Sequence, residues 1–267
     1  MMSIVPRLRR HGRVLLFSAL ALLLSACVTT ETGGFAEKAD QKKAYETSLQ
    51  LAKTYIANGN WQQAKRHLKY VESVDKNNPE TLEALALVYQ NTGELEMAES
   101  YYRRAIEQDP RVMRIRNNYA AYLYEQERYR EAAAQLEIVV SELLYERRVD
   151  AFVNLGRCYL KLDELDRAED AFKRALLMER DDPAVVLSMA EVSFRRQDYP
   201  QAQRYYDAFQ QMNPRQSAAA LWLGIRLAKV FDDEDAYASY ALALKNLYPK
   251  SEEYLRYKAS LKNGGGE

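Results

Sequence analysis

From Tyr45 to residue 250, apolar and polar residues recur with the three-and-four spacing of amphipathic helices, two helices at a time. In frames of 34 residues, positions 4, 7, 8 and 11 form one stripe and positions 20, 24 and 27 a second, with a polar turn between them. The pattern predicts a series of antiparallel helical hairpins. Six frames fit, beginning at Tyr45, Pro79, Met113, Val149, Pro183 and Ser217; the spacing is 34 residues throughout, except for one 36-residue step near Arg147–Arg148.

Side-chain size repeats with the same period. Position 8 is small in every frame: Ala52, Ala86, Ala120, Gly156, Ala190 and Gly224. Position 20 is Ala64, Ala98, Ala132, Ala168, Ala202 and Ala236, alanine each time. Position 7 (Leu51, Leu85, Tyr119, Leu155, Met189, Leu223) and position 24 (Leu68, Tyr102, Leu136, Phe172, Tyr206, Tyr240) are large, and so is position 11 apart from Ser193. Two helices approach closely only where small side chains let their backbones near, so positions 8 and 20 are expected to touch while large neighbours fill the flanks. Asn58-Gly59-Asn60, Asn91-Thr92-Gly93 and Gln197-Asp198 supply turn chemistry, and Pro79, Pro110, Pro183 and Pro214 mark frame boundaries.

This arrangement resembles the tetratricopeptide repeat over residues 45–250. Leu85-Ala86, Tyr89, Gly93, Ala98, Tyr102, Ala105 and Pro110 carry the likeness in frame two; Asn154-Leu155-Gly156, Tyr159, Ala168, Phe172 and Ala175 carry it in frame four. The resemblance implies an all-α, right-handed superhelical solenoid of six hairpins. Ser251–Leu261 reads as a helix capping the open end, followed by a frayed glycine-rich tail within residues 251–267.

Ahead of the repeats lies an address. Arg7 to Arg13 form a basic region, Val14–Leu24 an apolar run of about eleven residues, and Ser25-Ala26-Cys27 follows. A membrane-crossing helix needs about 20 apolar residues, so residues 1–26 read as a cleaved signal peptide. Leu24-Ser25-Ala26-Cys27 resembles the lipobox of bacterial lipoproteins, which implies acylation of Cys27. Val28 stands where an aspartate would favour inner-membrane retention, so outer-membrane delivery, facing the periplasm, is implied. Residues 27–44 are expected to be the lipidated N-terminus and a flexible tether.

Composition narrows the function. Without residues 1–26 the chain has 34 basic against 38 acidic side chains, a balance that argues against a nucleic-acid partner. His67 is the one histidine beyond the signal segment and Cys158 the one cysteine after Cys27, too few for a zinc site of ordinary ligand spacing. No Ser or Cys has a paired base, and no glycine-rich phosphate loop is present. The chain is therefore read as a monomeric scaffold, not an enzyme, with no catalytic residues, metal or cofactor beyond the covalent lipid.

In tetratricopeptide proteins the groove residues fall at frame positions 2, 5, 9, 12 and 13. Here these include Leu49, Lys53, Ile56, Leu87, Gln90, Asn117, Tyr124, Leu160, Leu187 and Phe194, with Val153, Arg157, Glu191, Leu221 and Ile225 in the later frames. So many apolar members suggest an interaction surface for an apolar segment, with the first frames favoured. Glu83 and Asn117 stand where a basic carboxylate clamp would place lysine. A lipobox, a short tether and six such repeats resemble the type IV pilus biogenesis lipoproteins of the PilF/PilW family, with stretches such as Gly59-Asn60-Trp61-Gln62-Gln63-Ala64 and Tyr119-Ala120-Ala121-Tyr122-Leu123-Tyr124. That resemblance implies a pilotin, which binds secretin subunits and promotes their outer-membrane localisation and multimerisation. The alternatives are a lipoprotein of the β-barrel assembly machinery and a regulator of cell-wall enzymes.

Overall fold

Each hairpin closes in the same way, on a left-handed residue at the end of its first helix. Gly59 and Gly93 take φ of 68° and 83°, which glycine adopts without side-chain cost. Glu127, Asp163, Gln197 and Asp232 hold the same conformation in the other four hairpins. Three residues C-terminal to position 13 the chain has reversed, and a backbone N–H reaches back to the carbonyl five residues before it. These bonds are Asn60 to Tyr55, Glu94 to Tyr89, Arg128 to Leu123, Glu164 to Tyr159, Asp198 to Ser193 and Asp233 to Ala228, at 2.7–3.0 Å.

A computed structural model describes residues 34–212 and 216–263. The signal segment, Cys27, Pro214 and the glycine-rich end of the tail lie outside the described residues. Among those described there are thirteen helices and no strand. The first hairpin is α1 (Gly34–Ala57) and α2 (Trp61–Val74), the second α3 (Pro79–Asn91) and α4 (Leu95–Gln108), the third α5 (Met113–Glu125) and α6 (Tyr129–Ser141). Then come α7 (Arg148–Lys161) with α8 (Leu165–Met178), α9 (Pro183–Arg195) with α10 (Tyr199–Met212), and α11 (Ala218–Val230) with α12 (Glu234–Leu247). The chain ends in α13 (Glu252–Asn263). Neighbouring hairpins stack into an all-α solenoid.

α1 begins at Gly34, so residues 34–44 of the expected tether are helix. The segment Phe35-Ala-Glu-Lys-Ala-Asp-Gln-Lys-Lys-Ala44 explains this, being made of helix formers without a breaker.

The small-residue contact holds through five frames. Ala52, Ala64, Ala86, Ala98, Ala132, Ala168, Ala190 and Ala202 are wholly inaccessible, and Leu68, Tyr102, Leu136, Phe172 and Tyr206 pack beside them as buried large residues. A fully buried leucine such as Leu68 or Leu85 contributes about 1.5–3 kcal/mol over an exposed one. Leu51 departs from the expectation at position 7: it is 38% exposed, because among the described residues no hairpin precedes frame one to cover it.

Frame six is displaced by one residue from the start expected at Ser217. Ser217 is the N-cap of α11, accepting a hydrogen bond from the Ala220 N–H, as Asn78 and Asp182 cap α3 and α9. Frame six therefore begins at Ala218, and the burial pattern of the earlier first helices falls on Ala220, Leu221, Gly224, Ile225, Leu227 and Ala228. Tyr237 replaces Ala236 at position 20, and Ala241 replaces Tyr240 at position 24. The last hairpin thus carries Ile225 and Tyr237 where the others are small, and Ala241 where they are large.

The buried core is not a single cluster. One runs from Ala52 to Val192, a second from Val186 to Leu227, and a third, of Leu221, Ile225, Ala241 and Leu244, joins the last hairpin to α13.

Candidate partner-binding groove

The first helices of successive hairpins lie side by side and present their remaining face as one surface. Leu49, Ile56, Leu87, Tyr124, Leu160, Leu187 and Phe194 are all half-buried on it, each packed against the core. The apolar members of the expected interaction surface are thus half-sunk, which leaves an apolar floor instead of projecting side chains. Lys53 is exposed and paired to Glu80 at 2.7 Å. Gln90 accepts a hydrogen bond from the Tyr102 hydroxyl at 2.9 Å and donates to Glu125 at 2.7 Å, so its amide is engaged between repeats. Asn117 is buried, with its Oδ1 lacking a partner.

Polar groups beneath this floor are fixed by cross-repeat pairs. Glu83 is 1% exposed, accepts a 2.7 Å hydrogen bond from Asn118 and is ion-paired to Arg114. Burial raises its pKa, opposed by the Arg114 charge and the two hydrogen bonds. A buried acid in this place cannot serve as a clamp for a carboxylate, in accord with the sequence. Between frames three and four, Ala120, Ala121, Tyr124, Asn154, Arg157 and Cys158 surround a cavity of about 140 Å³. Burial pushes the Cys158 thiol up to about 12, which makes it an unreactive wall residue.

Two aromatic pairs mark the lip at which the groove meets the hairpin turns. Tyr124 meets Tyr129 edge-on at 5.0 Å, and Phe194 meets Tyr199 edge-on at 5.3 Å. These rings hold position 12 against the start of the second helix, which keeps the floor continuous from one frame to the next.

The register shift in frame six changes which residues reach the groove. Leu221 and Ile225, expected on it, are 3% and 2% exposed and belong to the core. Trp222 and Arg226 take positions 5 and 9 instead. They border a cavity of about 270 Å³ with Leu160, Leu187, Glu191 and Arg195. Arg226 lies over the Phe194 ring at 4.6 Å and pairs with Glu191 at 2.5 Å. The signal in the sequence was Ser217, an N-cap residue type one place before the helix, as at Asn78 and Asp182.

Comparison with known proteins adds the family. A tetratricopeptide-repeat model matches residues 49–112, 83–141 and 120–185. The type IV pilus assembly protein PilF of Pseudomonas aeruginosa is 38% identical over 248 residues, covering 92% of this chain and 98% of that protein. The chain belongs to the PilF/PilW family of type IV pilus biogenesis proteins. The solved structure of Pseudomonas aeruginosa PilF superposes with a TM-score of 0.71 at 39% identity, covering 83% of this chain and 99% of that one. PilW, described as a widely conserved type IV pilus biogenesis factor, superposes with a TM-score of 0.70 over 80% of this chain and 97% of its own; at 24% identity that likeness is one of fold. The family fold is one for protein–protein interaction.

Proposed function

We propose that the protein is a pilotin: an outer-membrane lipoprotein, acylated at Cys27 and facing the periplasm, that captures secretin subunits of the type IV pilus and promotes their multimerisation. The observation that carries this reading is the kinship with PilF across nearly the whole chain, joined to an apolar floor suited to an amphipathic helix or extended segment. The mechanism is one of effective concentration. The lipid, the protein's one non-peptide group, holds the scaffold at the membrane, the groove holds a subunit, and subunits gathered on one surface assemble more readily than free ones. The protein acts as a monomer and performs no chemistry on its partner.

The first frames are the docking segment, through Leu49, Ile56, Leu87 and Tyr124. Leu87→Glu is expected to weaken binding of a purified secretin fragment at least tenfold while far-ultraviolet circular dichroism stays unchanged; undiminished binding removes this choice of surface. Cys27→Ala is expected to leave the repeats folded and the secretin monomeric in cells. Co-purification of a barrel insertase or a cell-wall synthase in place of a secretin overturns the partner assignment.

A further inference from the structure

The helix α13 was expected to cover the end of the stack. Counting 34 residues from Ala218 places Glu252 at the start of a seventh frame, so α13 has the spacing of another first helix. It does not dock as one. Ala259 falls at position 8, which is buried in all six preceding frames, yet here it is exposed, and none of residues 252–262 is buried. Leu255 and Leu261 are 54% and 51% exposed.

Instead α13 leans into the groove. Tyr257 meets Trp222 edge-on at 6.5 Å and Tyr237 at 6.3 Å, and Tyr254 packs with it against the last core cluster. Glu253 and Arg256 border the same 270 Å³ cavity as Leu160 of α7, Leu187 of α9 and Trp222 of α11. Its backbone rests on the last hairpin, nearer to α11 than to α12, and from there its side chains share a cavity with residues of α7 and α9.

Charged side chains of both signs line this contact. Within the groove Arg195 and Arg226 share the Glu191 carboxylate, at 3.2 and 2.5 Å, and Arg195 also pairs with Asp163 at 3.3 Å. The first turn of α13 is acidic, with Glu252 and Glu253, and Glu253 faces that cavity. A helix with an acidic first turn followed by two aromatics three residues apart is thus what this part of the groove holds.

We propose that the inner face of frames four to six is a second binding site, for a helical segment with an acidic first turn and an aromatic pair three residues apart, and that α13 occupies it in cis until such a segment displaces it. A site held by a weakly buried internal helix opens at low cost, and a partner must outcompete a tethered competitor, which sets an affinity threshold. The site is separate from Leu87 and its neighbours, so it stands or falls independently of secretin capture there.

The probe is a fluorescent synthetic peptide of residues 251–263, added to the full chain and read by anisotropy. Tyr254→Ala/Tyr257→Ala, which loosens α13, is expected to bind the peptide at least tenfold more tightly than the wild type does, and adding Trp222→Ala is expected to abolish the gain. A scrambled peptide is expected to bind neither form. Equal binding to both forms, or none to the loosened one, overturns the site. Hydrogen exchange on the unaltered chain gives a readout free of mutation: α13 amides are expected to exchange at least a hundredfold faster than those of Leu223–Leu227 in α11. Equal protection of the two helices makes α13 a fixed part of the stack and overturns the proposal.

Discussion

Gly156 stands where frames one, two, three and five carry alanine, and the reason is the ring facing it. A Cβ on Gly156 would lie 2.6 Å from Cε1 of Phe172, itself wholly buried. Frames one and three pair alanine with a leucine at that place (Ala52 with Leu68, Ala120 with Leu136) and frames two and five with a tyrosine, so the clash in frame four is particular to where the Phe172 ring lies. Gly156→Ala is expected to destabilise by about 1–3 kcal/mol through overpacking, and Phe172→Leu in the same chain to restore much of the loss, read by thermal unfolding. Glu83 tests the opposite case, a buried polar group. Because burial raises its pKa, its charge is disfavoured in the fold, while its hydrogen-bonding shape is used by Asn118. Glu83→Gln is therefore expected to match or exceed wild-type stability at neutral pH, whereas Glu83→Ala, which strands Arg114 and Asn118, is expected to lose about 2–4 kcal/mol in denaturant titration.

Helix starts differ in how they are fixed. The Asp182 side chain accepts from the Ala184 N–H at 2.8 Å and from Val185 at 3.4 Å, while the second helices α2, α4, α6 and α8 begin with no side-chain cap. Asp182→Ala is expected to cost about 1 kcal/mol, measured by chemical denaturation. The hairpins themselves were legible in the sequence because two constraints coincide: helical periodicity gives the face, and alanine at positions 8 and 20 gives the partner. Where volumes invert, as at Ile225, Tyr237 and Ala241, the size rule points one residue astray, and only the cap at Ser217 holds the register. The placement of α13 was not legible at all. Its spacing matches a seventh frame, and which neighbour its tyrosines choose depends on Trp222, whose own place on the groove follows from the same one-residue shift. The floor residues Leu49, Leu87, Tyr124 and Leu187 were readable as to position. Their depth was not, since exposure depends on how closely the preceding hairpin approaches.

Across the whole molecule, ion pairs tie each hairpin to the next. Lys65 meets Glu94 at 2.6 Å, Arg128 meets Glu99 at 2.7 Å, Arg130 meets Glu164 at 3.2 Å, and Arg226 meets Glu191 at 2.5 Å. Arg128 heads the hydrogen bonds, with those of Arg103 and Tyr119, that hold the Glu99 carboxyl at about 2, below its ordinary 4.5. A carboxylate with a depressed folded-state pKa adds stability that is full above the unfolded value and lost as pH falls through the folded one. Wild-type unfolding temperature is thus expected to drop between about pH 4.5 and 2, and Glu99→Gln to flatten that drop, in scanning calorimetry across the window.

The division of the core into three clusters has a mechanical consequence. A solenoid whose hairpins touch only their neighbours passes a pulling force through its joints in series, so extension begins at whichever joint yields first. The largest cluster binds frames one to five continuously, from Ala52 to Val192, while the last hairpin depends on two small clusters. Under load between its two ends, the molecule would surrender α13 and then α11–α12 while frames one to four kept their shape. The C-terminal hairpin is in that sense a fuse, and the groove of the first frames is the part it protects.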